Sequence, residues 1–280
     1  MTPMITGTGI WSGELRFGDP AEMAEAAAEL ESWGYTALWV PDVGGDVFGA
    51  LDRLAAATTS VTIATGILNI WHQTPEATSA WWSAQPPGVR DRTMLGLGVS
   101  HGPLIGVRWT RPLAAMREFL DALDAAGVPP ERRCLAALGP RMLELARDRT
   151  AGSHPYLVTP EHTALAREAL GPGALLAPEQ GVVLETDPDA ARAVARQAIG
   201  GYTELPNYVN NWKRLGFTDD DVESLSDRLV DALVAWGDAD AIAARVAEHR
   251  AAGADHVCLQ ALRAPGAPVP RATWEALAGI

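Results

Sequence analysis

The stretch Leu95-Gly96-Leu97-Gly98-Val99-Ser100-His101-Gly102 carries the decision on fold. With Thr93 and Met94 before it, the segment starts as a short apolar run of strand type and ends in glycine, serine and histidine. Gly98 to Gly102 satisfy G-x-S-x-G, the nucleophile elbow of an α/β-hydrolase, with Ser100 as nucleophile and His256 downstream to complete a triad. An elbow serine opens a helix at once, whereas Gly102, Pro103 and Gly106 delay helical periodicity to about Pro112. The hydrolase therefore stays as a minor alternative. A dinucleotide fingerprint fails on spacing, since the residues read G-x-G-x-x-x-G, and on position, since this is the fourth strand candidate rather than the first.

Working outward, seven further apolar runs have strand character: Met4 to Ile10, Thr36 to Val40, Val61 to Thr65, Arg133 to Leu138, His154 to Val158, Gly181 to Leu184 and Asp255 to Ala261. Helical patterns alternate with them. Pro20 to Trp33 has Asp19 as its cap and Gly34 as its stop, and Ala114 to Ala126 is stopped by Gly127. Others run Arg141 to Arg149, Pro160 to Leu170, Pro188 to Gly200 and Asp238 to Ala251. Eight strands alternating with helices predict right-handed βαβ units closed into an α/β (β/α)8 TIM barrel, one domain over residues 1–280. Residues 201–236 exceed a minimal barrel. Their helical segments, around Leu205 to Leu215 and Asp219 to Val234, read as an insertion between strands seven and eight that roofs the pocket.

Composition narrows the function. The 280 residues hold 22 Lys+Arg against 35 Asp+Glu, a formal charge of −13, which disfavours a nucleic-acid partner. All but one of the basic residues are arginine, and the single lysine, Lys213 in NNWKRLG, suits neither a Schiff base nor a P-loop. No HExxH or paired CxxC occurs, so no metal site is expected. Cys134 and Cys258 lie in apolar runs and read as reduced core residues. A start without a basic segment, and no apolar run near 18 residues, point to a cytoplasmic protein without a membrane partner. Ten tryptophans against four phenylalanines suggest broad apolar surfaces, one of them at a homodimer interface.

The strand-end segments LWVPDVGG (Leu38 to Gly45), IATGILNIW (Ile63 to Trp71), LGLGVSHG (Leu95 to Gly102), CLAALGPRML (Cys134 to Leu143) and AGSHPYLVTPEHT (Ala151 to Thr163), taken in order, resemble the bacterial-luciferase-like superfamily. Within it the resemblance is to oxidoreductases that use the deazaflavin coenzyme F420, and it continues through PNYVNNWKRLGF, SDRLVDALVAWGD and AGADHVCLQAL.

The resemblance implies hydride exchange between F420 and a small organic substrate at the carboxyl ends of the strands. It implies a non-prolyl cis peptide at Gly66-Ile67 against the back of the cofactor ring, with Asp42 and Asn69 beside it. Many deazaflavin relatives carry histidine after the position of Asp42, where this chain has Val43. The resemblance places Gly98, Val99 and Ser100 as close backbone to the cofactor, His101 as the proton-transfer residue, and Asp42 as a second catalytic candidate whose carboxylate accepts a hydrogen bond from cofactor or substrate. An unperturbed histidine pKa near 6.5 suits that role. Ala136, Ala137, Leu138 and Gly139 match small cofactor-lining residues, and Gly139-Pro140 opens a helix whose amino terminus favours an anion. Trp11, Trp71, His154 and Tyr156 are assigned to substrate contact. Two alternatives remain inside the superfamily: an FMN-dependent monooxygenase and a non-catalytic flavin-binding protein.

Overall fold

A computed structural model describes residues 5–280. Met4, with which the first predicted strand began, lies outside the described residues. Eleven strands form one parallel sheet: β1 (Gly7–Trp11), β2 (Ala37–Val40), β3 (Thr62–Thr65), β4 (Leu68–Asn69), β5 (Thr93–Gly98), β6 (Arg133–Leu135), β7 (Gly152–Ser153), β8 (Leu175–Leu176), β9 (Glu179–Leu184), β10 (Val234–Gly237) and β11 (His256–Ala261).

The pairings reduce these to an eightfold barrel. β3 and β4 are one strand interrupted at Gly66-Ile67, and both halves pair with β5. β8 and β9 are likewise one strand, interrupted at Ala177-Pro178, because proline supplies no N–H to the ladder. Its first half pairs with β7 and its second with β11, which pairs with β1. The ring is closed, with no long bare edge to protect.

Sequence accounts for most of this. Asp19 accepts hydrogen bonds from the N–H groups of Ala21 and Glu22 at the head of the helix Pro20–Ser32. Asp187 and Asp238 cap the helices Pro188–Ile199 and Ala239–Ala251 in the same way. Pro112–Ala125, Pro140–Arg149 and Pro160–Leu170 open with proline, whose missing N–H costs nothing in the first helical turn.

Three predicted elements differ. The run His154 to Val158 is not a strand: pairing stops at Ser153, Pro155 breaks the ladder and Leu157 takes the left-handed conformation (φ 55°). The fifth strand ends at Leu135 rather than Leu138. The pattern Asp219 to Val234 divides into helices Asp219–Ser224 and Asp227–Leu233, and Val234 begins β10, a strand that pairs with the outer end of β9.

The barrel interior is packed by size complementarity. Trp39 is fully buried, and the facing positions are small: Ala64, Cys134, Ala177 and Cys258. Both cysteines are free and buried. The Trp39 indole stacks on His154 with ring centroids 4.0 Å apart and donates its N–H to His256 at 3.2 Å. Among the described residues no helix is long and apolar enough to cross a membrane.

Candidate active site at the carboxyl ends of the strands

A cavity of about 1070 Å³ opens where the strands end. Its floor is Gly66-Ile67, a non-prolyl cis peptide as the resemblance implied. The glycines around it are contact requirements. A Cβ on Gly98 would lie 2.5 Å from the Ile67 side chain, and one on Gly66 would lie 2.6 Å from the Trp11 indole nitrogen and 3.0 Å from His154 Nε2. Trp11 donates its indole N–H to the Gly66 carbonyl at 2.8 Å.

Of the residues singled out from sequence, Trp11, Asp42, Gly66, Ile67, Asn69, Gly98, Val99, Ser100, His101, Ala136, Leu138, Gly139, His154 and Tyr156 line this cavity. Two do not. Ala137 points into the outer core beside Leu135 and Leu143, because alternate residues at a strand end face opposite sides. Trp71 turns away and donates its indole N–H to the Val99 carbonyl at 2.7 Å, a bond that Trp109 duplicates at 2.8 Å. Together the two indoles fix the loop that bears Ser100 (φ 51°) and His101.

His101 is half-buried beneath the roof. Its Nδ1 lies 3.2 Å from the Asn207 amide nitrogen, and its ring lies 5.0 Å from Tyr208. The amide nitrogen can only donate, so Nδ1 accepts and the proton of the neutral ring sits on Nε2. Burial pushes its pKa down to about 4, which removes the two-way proton exchange expected of a histidine near 6.5. At neutral pH the ring is neutral, with one N–H.

Asp42 is buried, with Oδ2 accepting from the Asn69 N–H at 3.2 Å and Oδ1 3.6 Å from the Arg16 guanidinium. Arg16 also donates to the carbonyls of Pro41 and Gly44. Sequence reading missed this arginine, because a basic residue in ELRF reads as solvated.

The roof contributes Tyr202, Leu205, Asn207, Tyr208, Asn210 and Arg214 from residues 200–214. None was selected individually from sequence. Arg111, Arg117 and Arg141 join Arg214 around the cavity, and among the described residues no carboxylate pairs with any of the four. Arg214 reaches the Leu138 carbonyl at 3.3 Å, beside the head of the helix Pro140–Arg149, where Gly139 offers no capping side chain. Free N–H groups and arginines at one helix terminus favour a bound anion.

Comparison with known proteins agrees with this geometry. Residues 3–127 match the model of the luciferase-like monooxygenase family. A protein of Mycobacterium tuberculosis named as a coenzyme F420-dependent oxidoreductase is 24% identical over 320 residues, covering 88% of this chain and 91% of the relative. An F420-dependent secondary alcohol dehydrogenase solved with an F420-acetone adduct superposes with a TM-score of 0.71 at 14% identity, covering 92% of this chain and 93% of that one. The oxygenating constituent of 3,6-diketocamphane monooxygenase from Pseudomonas putida, solved with FMN, gives 0.68 at 13% identity over 98% and 97% of the two chains. The chain thus has the (β/α)8 fold of these proteins along nearly its whole length, and its residues 3–127 are similar to the luciferase-like monooxygenase family.

Proposed function

We propose that this barrel is an oxidoreductase that binds coenzyme F420 and exchanges a hydride between it and a small organic substrate. The observation that carries the reading is the division of one cavity into two chemistries. One end is lined by small residues and backbone, with Gly66, Gly98 and Ala136 packed around the cis Gly66-Ile67 bond. The other is an anion-receptive end, with the uncapped helix head at Gly139 and the guanidinium groups of Arg141 and Arg214. A flat heteroaromatic ring with a negatively charged tail satisfies both ends at once. The names of the relatives add weight to F420 over FMN.

When bound, the deazaflavin supplies a ring carbon that accepts or gives the hydride. The chain's own part is positioning and electrostatics. Ile67 and Gly98 would back the ring, Asp42 and Asn69 would lie at its edge, and Arg141 and Arg214 would hold the tail. His101 donates from Nε2 to the substrate oxygen, which stabilises negative charge building there as a carbonyl is reduced.

Titration of the purified protein, read by tryptophan fluorescence, tests the reading. Oxidised F420 is expected to bind at micromolar concentration and FMN at least tenfold more weakly. Arg141→Glu with Arg214→Glu is expected to weaken F420 by roughly tenfold or more through two reversed charges. Preference for FMN would replace F420 by the flavin and favour the monooxygenase. Binding of neither would overturn the proposal.

A further inference from the structure

His154 is buried at the floor of the cavity, and its contacts leave one edge of the imidazole to a ligand. One face of the ring is stacked on Trp39, with centroids 4.0 Å apart and planes 14° from parallel. Nδ1 lies 2.7 Å from the Ala177 carbonyl, which can only accept, so Nδ1 carries the proton and Nε2 a lone pair. The edge bearing Nε2 faces Gly66 on the cavity floor, where a Cβ would lie 3.0 Å from this nitrogen. Among the described residues Nε2 has no hydrogen-bond partner.

A buried acceptor without a donor is rare in a folded protein and calls for a partner. The neighbouring donors are spent. The indole N–H of Trp11 goes to the Gly66 carbonyl at 2.8 Å, and those of Trp71 and Trp109 both go to the Val99 carbonyl. Burial pushes the His154 pKa down to about 4, so the ring stays neutral and Nε2 stays an acceptor at neutral pH. A ligand lying against Gly66-Ile67 is therefore complementary to this nitrogen through an N–H or an O–H. A carbonyl, an ether or an ionised oxygen at the same point sets lone pair against lone pair.

Resting on the reading that a deazaflavin ring lies against Gly66-Ile67, we propose that His154 recognises that ring, its Nε2 accepting a hydrogen bond from a donor group on it. The deazaflavin of F420 has two such donors, an imide N–H and a phenolic O–H. The flavin of FMN has the imide alone, so a bond from the hydroxyl also makes His154 a discriminator between the two cofactors.

The ring fragment 8-hydroxy-5-deazariboflavin, with its 3-N-methyl and 8-O-methyl derivatives, tests this by titration into the full-length protein, followed by tryptophan fluorescence. One of the two methylations is expected to weaken binding about tenfold, because it removes the donor and leaves a buried acceptor unpaired, and the other less than threefold. Loss on 3-N-methylation assigns the imide, and loss on 8-O-methylation the hydroxyl. In His154→Phe, which keeps an aromatic ring against Trp39, the parent fragment is expected to bind about tenfold more weakly, and the damaging methylation to cost less than twofold. Nitrogen NMR of the unaltered protein labelled in its histidines reads the same contact without a substitution: the Nε2 resonance of His154 is expected to move upfield when the fragment or F420 binds. Equal cost of a methylation in both proteins marks a steric clash and overturns the proposal, as does binding of F420 with the Nε2 resonance unmoved, which leaves the cofactor reading intact. Failure of any deazaflavin to bind overturns both.

Discussion

Acidification from pH 6.5 to 5 is expected to unfold this protein before most of its carboxylates titrate. His154 and His162 are held neutral, with burial pushing their pKa values down to about 4, and His249 and His256 down to about 3. All four are enclosed in the described fold. Each hydrogen-bonds as a neutral ring: His154 to the Ala177 carbonyl at 2.7 Å, His162 to the Leu138 carbonyl at 3.1 Å, His249 to Gln180 at 2.9 Å and His256 to the Trp39 indole. In the unfolded chain they protonate near 6.5, so below that pH the unfolded state binds four protons that the folded state refuses. Glu179 acts in the opposite sense. Burial pushes its pKa up to about 8, so the folded state keeps a proton that the unfolded state releases until about 4.5. His101, also pushed down to about 4, adds to the four, so the difference is roughly three to four protons between pH 6 and 5, which corresponds to roughly 5 kcal/mol of stability lost per pH unit. Against a typical total of about 5–15 kcal/mol, that loss is decisive.

Urea unfolding at pH 8, 6.5, 6 and 5 measures the slope. Stability is expected to peak near pH 7, falling above it as Glu179 becomes costly and steeply below pH 6.5. Glu179→Gln is expected to remove the alkaline decline and steepen the acid side, and His256→Gln to reduce the acid slope by about one proton. A flat profile from pH 7 to 5 would show that these histidines are not held neutral.

The same enclosure explains how much of the molecule could be read in advance. Strands such as Thr93–Gly98 and His256–Ala261 announce themselves by short apolar runs, and helices by Asp or Thr caps and proline starts, because these are local interactions. β10 was invisible: no glycine, proline or turn residue separates Leu233 from Val234, so VAWG continues the apolar pattern of the helix before it. Glycines at strand ends pointed to the cavity that Gly66 and Gly98 line, since a missing Cβ leaves a trace in the sequence. The roof did not, because Tyr202 and Tyr208 sit in a helical pattern where aromatic residues ordinarily pack, and only the tertiary fold carries them over the cavity. Arg16 was silent for the same reason. Nothing in ELRF signals that the chain folds its guanidinium beneath the end of β2.

That arginine carries the second large effect. Arg16 and Asp42 have side chains only 1% exposed, and Arg16 binds the Pro41 and Gly44 carbonyls as well as facing the Asp42 carboxylate. It therefore holds both ends of the turn that presents Asp42 and Val43 to the cavity. Arg16→Met retains the aliphatic bulk but strips the counter-charge from a buried carboxylate, whose Oδ1 has no hydrogen-bond donor even in the native chain, and the donor from two carbonyls. The expected loss is about 3–5 kcal/mol. Asp42→Asn alone leaves the buried guanidinium facing neutral acceptors, and its cost is expected to be of the same order. The double variant removes both charges, so its cost should fall short of the sum by roughly 2 kcal/mol or more. Urea unfolding of all four proteins at pH 7 measures the coupling. Additive losses would mean that the two residues stabilise the turn independently. F420 affinity separates the site from the scaffold: under the proposed role of Asp42 at the ring edge the double variant would recover stability without recovering binding, whereas joint recovery would assign Asp42 to the fold alone.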